Sequence, residues 1–91
     1  MPKYVIERNI PGAGSLSSDQ LCATSKLSNE VIASLGSRVQ WQHSYVTTDK
    51  IYCVYIADNE EVLREHARQV GLPADVISEV GQIIDPTTGE S

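Results

Sequence analysis

The chain has 91 residues, with 7 Lys and Arg against 12 Asp and Glu, a formal net charge of −5. That balance excludes nucleic acid as an expected partner, because phosphate binding needs a basic face. Composition is ordinary for a globular domain, at 41% hydrophobic and 21% charged residues, and no apolar run is long enough to span a membrane.

The first segment, Pro2 to Asn9, alternates Tyr4 and Ile6 against Val5 and Glu7, the period of a strand. Ile10 to Ser15 reads as a loop. Its Gly12-Ala13-Gly14 precedes a helix N-terminus, a setting for anions. Ser17 stands where the dinucleotide fingerprint needs a third glycine, however, and no Walker lysine follows. A helix then opens with Ser17 as N-cap and Gln20 as its capping-box partner, with Leu16 against Leu21 as a hydrophobic staple. Leu21, Leu27, Val31, Ile32 and Leu35 form its expected apolar stripe, and Gly36 ends it.

Val39 to Ala57 is rich in Val, Ile, Thr, Tyr and Trp and reads as a hairpin turning at Thr48-Asp49. A two-residue loop sets Tyr45 opposite Tyr52, His43 opposite Val54 and Trp41 opposite Ile56. Trp41, His43, Tyr45, Tyr52, Val54 and Ile56 then share one face, with Ser44, Val46, Ile51, Cys53, Tyr55 and Ala57 on the other. The second run is apolar on both faces and therefore needs cover on both sides.

A second helix is expected to start at Asp58 as N-cap, with Glu61 three positions on. Val62, Leu63, His66, Ala67 and Val70 share its buried face, and Gly71-Leu72-Pro73 stops it. A last strand is expected over about Val76 to Asp85, followed by a turn-rich tail. Residues 1–86 thus form one domain and 87–91 a C-terminal tail.

The order β-α-β-β-α-β is that of an α+β ferredoxin-like sandwich. Both helices cover the same sheet face in that fold, so the two-sided apolar strand points to a homodimer whose sheets pack into a dimeric α/β barrel.

Several residues are candidates for chemistry. His66 sits on the buried stripe of the second helix, either as a core histidine with one hydrogen bond or as a metal ligand or acid/base group. His43 is a ligand candidate if it lines the dimer interior. Glu7 must be paired or bind something if it faces inward, and with Tyr45, Tyr55 and Cys53 it would floor a polar pocket. Arg8 is either the partner of a carboxylate or solvated surface. Cys22 and Cys53 lack metal-finger spacing and read as free thiols, reactive only in an electropositive or metal environment. The charged residues Glu60, Glu61, Arg64, Glu65 and Arg68 form a solvated helix face. No HExxH motif occurs, and no nucleophile–base–acid triad can be assembled from spacing.

Pro2 directly after Met1 resembles the tautomerase superfamily, where a free N-terminal proline amine serves as a base. That chemistry requires removal of Met1.

Taken together, PKYVIERNIPGAG, SYVTTDKIYCVYIA, EEVLREHARQVGLP and IIDPTT resemble one family over nearly the whole chain. It is the small bacterial nickel-binding proteins of ferredoxin-like type, long catalogued as a domain of unknown function. The resemblance implies a dimer of ferredoxin-like subunits that binds Ni²⁺, with metal sequestration or detoxification as its role. Donor chemistry adds His43, His66 and Glu7 as metal candidates. The alternative is a cofactor-free enzyme or small-molecule binder in the barrel, with Glu7 or His66 as base and Tyr45 or Tyr55 as hydrogen-bond donor. A third reading is a purely structural or regulatory dimer. No secretory signal is visible, and a cytoplasmic location is expected.

Overall fold

The opening alternation becomes strand β1, Lys3–Asn9, in a computed structural model that describes residues 1–90. Tyr4, Ile6 and Arg8 are buried while Val5 and Glu7 are only half-buried, so the strand has one well-covered face and one open one. Helix α1 spans Ser18–Leu35, and both halves of the Ser17/Gln20 capping box are formed. Gly36 closes α1 with a φ of 71°, a conformation that favours glycine. Strands β2, Val39–Val46, and β3, Lys50–Ala57, form the hairpin. Helix α2 spans Glu60–Val70 and strand β4 Val76–Glu79.

The sheet order is β2-β3-β1-β4, and all three strand pairs are antiparallel. This α+β arrangement of four antiparallel strands and two helices is compatible with a ferredoxin-like fold. The core gathers Tyr4, Ile6, Cys53, Tyr55 and Ala57 from the sheet with Val62 and Leu63 from α2, and Ile32 and Leu35 of α1 pack against it. Both helices therefore cover the face that carries Tyr4, Cys53 and Tyr55. Burial of each large aliphatic side chain there stabilises the fold by about 1.5–3 kcal/mol.

Four local expectations change. The hairpin turn closes through the Thr47 N–H on the Lys50 carbonyl, and Tyr45–Tyr52 and His43–Val54 pair as the loop length requires. An irregularity between Trp41 and His43 then sets Trp41 opposite Tyr55 instead of Ile56. One extra residue in a strand reverses side-chain alternation beyond it, so Trp41 turns to the helix side, where its Nε1–H donates to Ser44 Oγ at 2.9 Å.

In α1 the covered positions include Ser28 and Val31, while Leu27 is 42% exposed. The stripe runs Leu21, Ser28, Leu35, at heptad spacing, and passes beside Leu27. The N-cap of α2 is Asn59, not Asp58: Asn59 Oδ1 accepts the Val62 N–H at 3.0 Å. Asp58 instead donates its N–H to the Arg38 carbonyl and sets its carboxylate 3.6 Å from Arg38 Nε. Strand β4 stops at Glu79 because β1, its sole neighbour, runs out. The Val80 N–H takes the Lys3 carbonyl, and before Lys3 stands Pro2, which has no N–H. Ile83 and Ile84 therefore lie beyond the sheet, 70% and 75% exposed.

Candidate functional site

The two faces of the sheet present different chemistry. Arg8 follows Tyr4 and Ile6 on the helix side and has no exposed surface. Its guanidinium donates from Nε to Cys53 Sγ at 3.4 Å, from Nη1 to the Pro73 carbonyl at 2.8 Å and from Nη2 to the Tyr55 hydroxyl at 3.3 Å. The three acceptors are a cysteine sulfur, a backbone carbonyl and a phenol, and none is a carboxylate. Burial foremost pushes the Tyr55 phenol up to about 12, so it keeps its proton at neutral pH.

His66 lies edge-on to Tyr55, with ring centroids 5.4 Å apart, and its Nε2 is 3.0 Å from Ser28 Oγ, linking α2 to α1. Its Nδ1 is buried without a partner. Burial first, and the Arg8 charge second, lower His66 to about 4, so the ring is neutral at physiological pH. Between α1 and the sheet lies a cleft of about 70 Å³ whose walls include Arg8, Ser28, Trp41, Ser44, Cys53 and Tyr55. That is well below the roughly 300 Å³ of a typical small-molecule site, and no carboxylate lines it.

Among the described residues neither α1 nor α2 covers the opposite face. Val5, Tyr52, Val54 and Ile56 stand there half-buried, and Tyr45 is 59% exposed. Glu7 pairs with the Lys50 ammonium, and that hydrogen bond holds Lys50 above its ordinary range. His43 is exposed, its ring edge-on to Tyr45 at 5.1 Å.

The sequence-level candidates thus divide between the faces. Glu7, His43 and Tyr45 share the open face, while His66, Tyr55 and Cys53 share the helix face. The expected pocket of Glu7 with Tyr45, Tyr55 and Cys53 does not form, since strand alternation sends Glu7 and Arg8 to opposite sides. Arg8 has neither role expected of it, being buried without a carboxylate. Among the described residues no group of three or more His, Cys, Asp or Glu side chains is placed to hold a metal ion.

The Gly12 and Gly14 amides are engaged by the hairpin turn, donating to Asp49 Oδ1 and the Thr48 carbonyl, both at 3.0 Å. A Cβ on Gly14 would meet Thr48 Cα at 3.0 Å, so glycine there serves close packing. The Pro2 carbonyl accepts the Ala57 N–H at 3.1 Å. Ser28 is not among the candidates the sequence singles out; its signal is a hydroxyl residue midway between Leu21 and Leu35.

Among known proteins, a family model described as "Nickel responsive protein SCO4226-like" matches residues 4–80. No curated protein matches the chain. The crystal structure of SCO4226 from Streptomyces coelicolor A3(2) superposes with a TM-score of 0.75 at 20% identity, covering 90% of this chain and 99% of that one. At that identity the likeness concerns the fold. Among the described residues no helix is long and apolar enough to cross a membrane.

Proposed function

Because the chain belongs to the SCO4226-like family of nickel responsive proteins, we propose that it is a small Ni²⁺-binding protein, with sequestration or detoxification of the metal as its role. The observation that carries this reading is the exposed imidazole of His43 on a sheet face that no helix covers. Imidazole suits Ni²⁺. Among the described residues no three His, Cys, Asp or Glu side chains converge within one chain, and in this reading the metal sits where two copies meet through their open faces and each contributes a His43. Glu7 shares that face and is a second donor once Lys50 releases it. Water completes the shell. His66 is separated from these groups by the sheet and hydrogen-bonds to Ser28, so its contribution is tested alongside and expected to be small.

Isothermal titration of Ni²⁺ at neutral pH into wild type, His43→Ala, His66→Ala and the double variant tests the assignment. The expected outcome is binding by wild type and His66→Ala, with a loss of tenfold or more in both variants lacking His43, on the order of 1.4 kcal/mol. Undiminished binding by His43→Ala removes His43 as the ligand. No binding by wild type removes the nickel function.

A further inference from the structure

Among the described residues Arg8 is a buried cation with no carboxylate partner. The ion pairs among the described residues use Arg38, Lys50, Arg64 and Arg68, and Arg8 bonds only to a thiol, a carbonyl and a phenol. Buried charges are ordinarily paired, because an uncompensated one is costly. Of the five guanidinium N–H groups, these three bonds occupy three.

The bonds also orient what surrounds the cation. Tyr55 Oη accepts from Arg8, so its own hydrogen points away from the guanidinium; its partner inside the fold is the Cys53 sulfur, a weak acceptor that a carboxylate would displace. Ser44 Oγ accepts from Trp41 Nε1 and is left with a free hydrogen. Tyr55, Ser44 and Arg8 all line the same cleft. Arg8 is the sole charged residue of its wall, and α1 adds the hydroxyls of Thr24, Ser25 and Ser28. A donor polarised by a cation at its back, as the Tyr55 hydroxyl is by Arg8, is strengthened in a setting of low dielectric.

We propose that this cleft binds a compact carboxylate of formate or acetate size, which accepts from the Tyr55 and Ser44 hydroxyls and neutralises the Arg8 charge behind them. The volume of about 70 Å³ admits a few heavy atoms, and the apolar walls of Leu21, Val46, Ile51 and Leu72 exclude a strongly hydrated multivalent ion. The site lies on the helix side of the sheet and does not rest on the metal reading.

Trp41 is the single tryptophan and lines the cleft, so its emission reports occupancy. Formate, acetate and chloride are titrated at ionic strength held constant with sulfate, a strongly hydrated divalent anion of the kind the apolar walls exclude. Saturable change with formate or acetate is expected. Tyr55→Phe and Ser44→Ala should each weaken it about tenfold or more, whereas Tyr45→Phe, on the open face, should leave it unaltered. Circular dichroism establishes that each variant is folded, and either cleft variant suffices for the comparison. A response that never saturates, saturation with chloride alone, or undiminished affinity in folded Tyr55→Phe and Ser44→Ala overturns the proposal.

Discussion

At the scale of single residues, His66 couples the core to pH. Its ring is held at about 4 in the folded protein, against an ordinary value near 6.5. Between those values the unfolded chain binds about one proton more than the folded one at this position. The His66 contribution to stability is therefore fully present above pH ~6.5 and is lost as pH falls toward ~4. Glu65 and Asp85, both held below the usual carboxylate range by hydrogen bonds to Arg68 and Thr87 respectively, add their own losses at more acid pH. The His66 share is isolated by subtraction: urea midpoints of wild type minus His66→Gln should slope through the pH ~4–6.5 window and be flat above it. A flat difference throughout would show that the ring is not held neutral. Ser28 is the ring's hydrogen-bond partner. Ser28→Ala leaves both imidazole nitrogens buried without partners and should destabilise by about 1–3 kcal/mol in urea denaturation.

At the scale of elements, the helix ends follow local chemistry more closely than the strand ends do. The Ser17 box needs only four consecutive residues and forms as its sequence implies. At α2 two adjacent cap-forming residues compete. Asn59 takes the position because Asp58 is engaged by Arg38 across the start of β2, a contact between elements and invisible in the local sequence. Asn59→Ala should therefore cost about 1 kcal/mol, while Asp58→Ala, which removes an exposed ion pair, should cost no more than about 0.5 kcal/mol. Thermal melts of the two variants check the order, and a larger loss in Asp58→Ala would reverse the capping assignment. The strand ends depend on a neighbour instead. Strand β4 ends where β1 ends, although Ile83 and Ile84 have strong strand propensity.

For the whole molecule, the decisive feature is one face with two helices and one with none. Val5, Val54 and Ile56 on the uncovered face are the surface through which the proposed homodimer forms. Sedimentation equilibrium should find wild type at twice the chain mass. Val54→Glu sets a charge in the middle of that seam, opposite His43 and beside Val5. It should give a folded monomer, because the position is not in the core cluster. A monomeric wild type would remove the dimer, and with it the placement of metal between two His43 side chains.

Residues a few positions apart decided most of what was legible in the sequence by itself. The element order, the Ser17 cap, the buried stripe of α2 and the two-residue hairpin turn all follow from spacing, because helix and strand periods and turn chemistry are local. The fate of Arg8, the side taken by Glu7, the turning inward of Trp41 and the contact of Ser28 with His66 required the folded chain. Each depends on which sheet face the helices cover or on one extra residue in β2. A single strand read in isolation has two faces of nearly equal apolarity. Only packing against another element makes one of them the inside.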